Sequence, residues 1–321
     1  MPERSVPTIA VYVSAHGYGH CVRVATVLER LLELRPVRLR VVAPVPERLW
    51  PESLARVTVQ WRAEATDAGV VERPDLSLDR TRTAEAATRL ARDAERRIEL
   101  EERWLARGAD LVVADVPPFP LAAAARLGLP SVAIANFSWD WIYDRLGLEE
   151  AARSAERCYA RADLLVEAEP SAPMEAFPER CRCSVITRRS RRARYEVRKR
   201  MGLAPEHRLI LVASRPGYGN ETRLPPPMPD VRYLLAGSND AASGRSDTIS
   251  WPRGLSFVDL VAAADLVVSK PGYGIIGDVC GAGTRFLYTV TTDFPEHEVL
   301  RRWLARRPAT RPVRGDLLAS G

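Results

Sequence analysis

Lysine is almost missing from this chain. It stands only at Lys199 and Lys270, and every other one of the 47 basic residues is arginine. Such a skew is what a GC-rich coding sequence produces, so the net charge of +6 is not by itself the footprint of a nucleic-acid binder. Basicity of this kind suits an anionic substrate or an anionic membrane surface equally well. Long apolar runs are also missing. No stretch approaches the roughly 18 residues of a spanning helix, and no secretory signal precedes the first apolar segment. The five cysteines, Cys21, Cys158, Cys181, Cys183 and Cys280, are odd in number and form no evident disulfide framework. Cys181-Arg182-Cys183 lacks a second pair at zinc-site spacing, which favours plain thiols over a metal site. A reduced, cytoplasmic protein is expected.

At 321 residues, with 46% apolar and 27% charged residues, the chain reads as about two globular domains. Its organising stretch runs from Ala264 to Val279. A strand-length apolar run, Leu266 to Ser269, leads through Lys270-Pro271-Gly272-Tyr273-Gly274 into a segment of helical spacing that carries Asp278. A helix start leaves backbone N–H groups unpaired and carries roughly half a positive charge, and glycines let an anion approach them. Lys270 is placed to reach the same anion, and Asp278 to bond sugar hydroxyls. The other reading of such a stretch is simply a turn. The same form recurs twice, at His16-Gly17-Tyr18-Gly19-His20 after the strand Thr8 to Val13, and at Arg215-Pro216-Gly217-Tyr218-Gly219 after the strand Leu209 to Ala213. Three strand ends of this kind point to ligand binding at the carboxyl edge of open parallel sheets.

Strands are expected at Val37 to Ala43, Val57 to Trp61, Asp110 to Asp115, Ser131 to Ala135 and Asp163 to Glu167, then at Val231 to Ala236 and Arg285 to Val290. Their continuous apolar character and the helical patterns between them indicate parallel sheets covered by helices. Asp79 to Arg107, free of Pro and Gly, reads as one long amphipathic helix. Ala168 to Cys183 has no clear period and reads as an interdomain connection, giving domains 1–168 and 169–321. Asn136-Phe137-Ser138-Trp139-Asp140-Trp141-Ile142-Tyr143 at a strand end suits either pocket lining or a loop anchored on the core. The run Arg188 to Arg200 is read as a solvated helix face, with membrane or nucleic-acid contact as the alternative. No aromatic interleaving suited to base stacking accompanies it.

Ser14-Ala15-His16-Gly17-Tyr18-Gly19-His20, Asn136 to Tyr143, and Lys270 to Asp278 with Asp293-Phe294-Pro295-Glu296 together resemble the GT-B glycosyltransferases. Within that group they are similar to the peptidoglycan N-acetylglucosaminyltransferase-like proteins and the glycosyltransferase-like N-terminal region of L-arabinokinases. The resemblance implies an α/β GT-B fold: two Rossmann-like domains with parallel sheets facing a central cleft, the first for the acceptor and the second for a nucleotide-sugar donor, UDP-sugar favoured. It places Asp278 where the family has a ribose-binding glutamate, and Asp293 and Glu296 against the donor sugar. His20 matches the histidine of the N-terminal loop. The family often continues into a C-terminal crossing helix, whereas Ala309 to Gly321 offers only a short tail.

Transfer of a glycosyl group passes through an oxocarbenium-like state, so it needs leaving-group stabilisation and a base for the acceptor hydroxyl. Gly17, Gly19, Gly217, Gly219, Gly272 and Gly274, with Lys270 or Arg215, are the candidates for the nucleotide. His20 is the first candidate base, with His16 and Asp140 as rivals and a purely structural histidine as the other reading. No Asp-X-Asp occurs, which suits metal-independent, inverting transfer to a small-molecule or lipid-linked acceptor without any cofactor. A nucleotide-sugar 2-epimerase and a non-catalytic sugar-nucleotide-binding or regulatory protein are the alternatives. Peripheral membrane contact remains open as a partner, and nucleic acid is not expected.

Overall fold

The computed structural model describes residues 6–45, 50–73, 77–213, 224–237, 245–290 and 294–314. They form two compact units. The first comprises Met1–Val71 and Leu78–Ile186, the second Glu72–Ser77 and Thr187–Gly321.

The first unit runs β1 (Thr8–Val13), α1 (Tyr18–Leu34), β2 (Arg38–Val42), α2 (Glu52–Ala55), β3 (Thr58–Arg62), α3 (Arg80–Arg92), α4 (Ala94–Leu105), β4 (Leu111–Asp115), α5 (Phe119–Arg126), β5 (Ser131–Ala135), α6 (Trp139–Arg145), α7 (Glu149–Tyr159), β6 (Leu164–Ala168) and β7 (Arg180–Cys183). Its seven strands are all parallel in the order β3-β2-β1-β4-β5-β6-β7. Strands buried on both faces explain their unbroken apolar sequences. One core layer packs Val24, Leu28, Leu39, Val41 and Val113 between α1 and the sheet.

The second unit contains α8 (Arg194–Arg200), β8 (Arg208–Ala213), β9 (Val231–Ala236), β10 (Thr248–Ile249), α9 (Phe257–Ala263), β11 (Leu266–Ser269), α10 (Tyr273–Ala282), β12 (Arg285–Val290), α11 (Pro295–Ala305) and β13 (Thr310–Arg314). Its sheet is parallel throughout, in the order β10-β9-β8-β11-β12-β13. In both units the strand order reverses beside the first strand, at β1/β4 and at β8/β11. Open α/β sheets bind their ligands at such a switch point.

Several expectations are corrected. Helix α1 begins at Tyr18 rather than Val22, because Gly17, at φ 125, turns the chain sharply enough for the glycine loop itself to enter the helix. His20 is therefore a helical residue. The long helix breaks at Asp93, whose ψ of 6 takes it out of the helical range and separates α3 from α4. The connection after Ala168 is not structureless: Arg180–Cys183 adds to β6 as the parallel edge strand β7, and the first unit extends to Ile186, apart from the excursion of Glu72–Ser77 into the second. The C-terminal tail supplies β13, paired along its length with β12.

The arginine run is also not simply a solvated face. Arg194 donates to the carbonyls of Ala262 and Ala264 and to Asp265 Oδ1, and Arg198 to Ala263 O, Asp265 Oδ2 and His207 O. Arg192 reaches Gly254 O and Arg200 reaches Arg253 O. These cations cap the C-terminal carbonyls of α9 and the neighbouring loops, groups that a helix end leaves without intrahelical partners.

Candidate active site

In the first unit β1 and β4 lie side by side, and Ser14 N–H still donates to Asp115 O (3.2 Å) beyond the last β1 residue. The glycine loop thus stands over the end of β4. Helix α1 turns His20 and Arg23 toward Asp115, the final β4 residue, and these three groups form a buried cluster with Asn136 at the end of β5. His20 is 5% exposed and Asp115 0%. His20 Nδ1 lies 2.9 Å from Asp115 Oδ1. Arg23 Nε donates to Asp115 Oδ2 (3.0 Å), one of its terminal nitrogens to Asp115 Oδ1 and the other to Asn136 Oδ1. Asn136 Nδ2 in turn donates to Ala168 O and Pro170 O.

Burial works against the charge of Asp115, but Arg23 and His20 overcome it and hold its carboxyl below the usual range. His20 Nδ1 thus faces an acceptor, Asp115 Oδ1, and at 2.9 Å also a donor, a terminal nitrogen of Arg23; a proton on Nδ1 is the arrangement that serves the carboxylate, which only accepts. In that tautomer Nε2 keeps its lone pair. A base needs just this: one nitrogen fixed by an acid, the other free to take a proton.

His16 is half-buried, its ring edge-on to Trp139 (centroids 5.4 Å) and to His20 (6.3 Å). Asp67 ties this neighbourhood together by accepting from Ala15 N–H (3.0 Å) and Trp139 Nε1–H (2.8 Å). Burial pushes the Asp67 carboxyl up. Trp139 is therefore an anchored core residue, 1% exposed, whereas Trp141 lines a separate cavity of about 560 Å³. Asp140 lines that cavity too, with Asp144, Glu149 and Glu156, and neither histidine belongs to its walls. Burial raises the Asp140 carboxyl. The structure thus brings His16 and His20 together and places Asp140 in a different environment.

In the second unit β11 ends at Ser269, and α10 begins after Gly272. That residue caps the helix without a side chain, and a Cβ built on it would meet nothing within 4 Å. Its backbone is open to an approaching group. Gly274 is the second residue of α10, and Lys270 Nζ pairs with Glu72 Oε1 (3.2 Å). Asp278 is 2% exposed and bound side-on by Arg188, Nε to Oδ1 at 2.8 Å and a terminal nitrogen to Oδ2 at 2.5 Å. Glu296 lies in the first turn of α11. Arg215, Gly217, Gly219 and Asp293 fall outside the described residues, whereas Gly17 and Gly19 sit at the start of α1.

Sequence reasoning missed Asp115, Arg23, Asp67 and Arg188. A carboxylate closing an apolar strand was the available signal for Asp115. Arg23, one helical turn after His20, shares its face of α1. Nothing local marks Asp67 or Arg188, whose partners lie 72 and 90 residues away. Among the described residues no group of three His, Cys, Asp or Glu is placed to hold a metal ion. No described helix is long and apolar enough to cross a membrane.

No family model matches the chain. Among curated proteins it is similar to an L-arabinokinase of Arabidopsis thaliana, 29% identical over 324 residues. That match covers 96% of this chain and 31% of the arabinokinase, so the chain spans about a third of its relative's length. Among solved structures it resembles the spinosyn rhamnosyltransferase SpnG (TM-score 0.62, 12% identity, 97% of this chain and 88% of that one). It also resembles Acinetobacter baumannii MurG (0.57, 15%, 98% and 89%). A third likeness is to Phytolacca americana UGT2 in complex with UDP-2-fluoro-glucose and pterostilbene (0.59, 10%, 94% and 84%). Two parallel-sheet α/β units with these neighbours make the fold GT-B.

Proposed function

We propose that this chain is a glycosyltransferase that moves a sugar from a nucleotide-sugar donor to a hydroxyl acceptor, with inversion and without a metal ion. The observation that carries the reading is the buried His20–Asp115 pair at the switch point of the first sheet. In the proposed step His20 Nε2 takes the acceptor hydroxyl proton as the acceptor oxygen bonds the anomeric carbon. The bond from that carbon to the phosphate oxygen breaks, and the nucleoside diphosphate leaves with the electron pair. Asp115 stabilises the imidazolium that forms, in the manner of an acid behind a histidine base. Arg23 and Asn136 keep Asp115 ionised and in place.

The second unit is the proposed donor site. Its open turn at Gly272 and the N-terminus of α10, where the cap residue has no side chain, suit the leaving phosphates, with Lys270 as the nearby cation. Lys270 exchanges Glu72 for phosphate in this reading. A UDP-sugar is favoured, in keeping with the UDP-2-fluoro-glucose of the Phytolacca complex. A small-molecule or lipid-linked hydroxyl compound is the acceptor.

The test is transfer or donor hydrolysis by the purified chain across UDP-, GDP- and dTDP-sugars, with His20→Ala as control. Conversion that survives His20→Ala removes the histidine from the mechanism. Absence of any conversion by folded protein removes the enzyme reading. A second reading, a sugar-nucleotide-binding part of a larger protein, is favoured by the 31% coverage of the arabinokinase. Stoichiometric binding of a ligand recovered unchanged after long incubation selects it.

A further inference from the structure

The acidic residue expected to bind a ribose, Asp278, is not available to one. Both of its oxygens are held by Arg188, and it is 2% exposed while the Arg188 side chain is 32% exposed. The guanidinium therefore lies on the solvent side of the carboxylate, and a group approaching this face of α10 from solution meets a cation. The arrangement is anchored in the backbone as well. Thr187 and Arg188 cross α10 at Gly281, where a Cβ would overlap the Arg188 carbonyl oxygen and stand 3.1 Å from Thr187 Cβ. Asp278 lies about one and a half turns into α10, and Arg188 reaches it from the Gly281 side, so its side chain runs toward the N-terminal half of the helix.

Breaking a buried ion pair by removing one partner is strongly unfavourable, and two hydroxyl hydrogen bonds from a ribose offer the carboxylate no more than it already has. Exchange of Arg188 for a neutral diol is thus disfavoured. Side-on binding through Nε and one terminal nitrogen leaves the other terminal nitrogen, with its two N–H donors, turned away from Asp278.

We infer that Asp278 serves as the buried anchor of Arg188, and that Arg188 is the specificity-determining group at this position. The site recognises its ligand through an anion, the phosphate of a nucleoside diphosphate, and not through the ribose diol. This rests on the donor-site reading of the second unit, and the experiment separates the two.

Calorimetric titrations of the full chain are run with UDP, with 2′,3′-dideoxy-UDP and with inorganic pyrophosphate. They are repeated on Arg188→Gln and on the double variant Arg188→Gln/Asp278→Asn, which leaves no buried charge unpaired and so guards against a folding defect. The expected result is equal affinity for UDP and its dideoxy analogue within about twofold, and tenfold or greater weakening of UDP and pyrophosphate in both variants. Tenfold loss on removing the diol, or unchanged or tighter UDP binding by the variants, overturns the inference while leaving the donor site in place. Arg188-dependent binding of pyrophosphate without any nucleotide binding keeps Arg188 as the anion-recognising group and removes the nucleoside diphosphate together with the donor-site reading. Binding of neither removes both.

Discussion

At the scale of single residues, the chemistry of the first unit depends on where one proton sits. Asp115 is the acceptor that draws it to Nδ1 of His20, against the Arg23 nitrogen beside it, so Asp115→Asn changes the partner without changing the shape. An amide nitrogen facing the ring favours the opposite tautomer and removes the charge behind the base. We expect His20→Ala to lower transfer by roughly 10²–10⁴-fold, the usual worth of a positioned base, and Asp115→Asn to fall toward the same level. Initial rates at saturating donor check both. The same carboxylate also governs acid stability. Its folded pKa lies below the ordinary value, so its contribution is complete above the unfolded pKa of about 3.9 and is lost as pH falls through the lower folded value. Asp115→Asn is therefore less stable than wild type near neutrality. The difference shrinks on acidification below about pH 4, as denaturant melts at several pH values will record.

At the scale of elements, strands were the legible part. Buried parallel strands announce themselves as continuous apolar runs, and the ten expected strands appear at or within two residues of their places. Edge strands do so unevenly: β3 was legible as Val57 to Trp61, whereas β7, β10 and β13 were not. Arg180–Cys183 and Thr310–Arg314 are short, polar or proline-bearing, and each pairs on one side only, so hydropathy alone could not find them. The Gly-Tyr-Gly turns before α1 and α10 were legible as turns into helices, because a turn before a helix is a local property. Asp115 with His20, and Arg188 with Asp278, were hidden because long-range pairing leaves no local pattern. Gly281 is an example with a measurable consequence. Its missing Cβ lets the Arg188 segment lie against α10, so Gly281→Ala overpacks backbone against backbone. Overpacking of this kind costs about 1–3 kcal/mol. Denaturant unfolding should show that loss, whereas alanine at Gly272, which faces open space with ordinary extended backbone, should cost less, only the N-cap preference of glycine over alanine.

For the molecule as a whole, the question raised by a pI near 9.3 is where the positive charge resides. Much of the densest basic run is consumed internally. Arg194 and Arg198 share Asp265, Arg192 faces Asp259, Arg188 takes Asp278, and carbonyls from Arg253 to Ala264 absorb further donors. The cations paired with Asp259, Asp265 and Asp278 attract a lipid headgroup weakly, and the field of the others is screened within about 8 Å at physiological salt. The chain should therefore not co-sediment with phosphatidylserine-containing vesicles at 0.15 M salt, and retained binding there would assign that role to the run after all. Stability supplies the positive side of the same argument. Arg198 is 13% exposed along its side chain, and alanine in its place removes the donor it gives to the Ala263 and His207 carbonyls, while Asp265 Oδ2 keeps the Leu209 N–H. Leaving buried acceptors unpaired costs about 1–3 kcal/mol, so Arg198→Ala should lower the unfolding midpoint of the second unit even in 1 M salt, where a surface ion pair would have ceased to count. A midpoint shift that vanishes with added salt would instead mark the run as an ordinary solvated face.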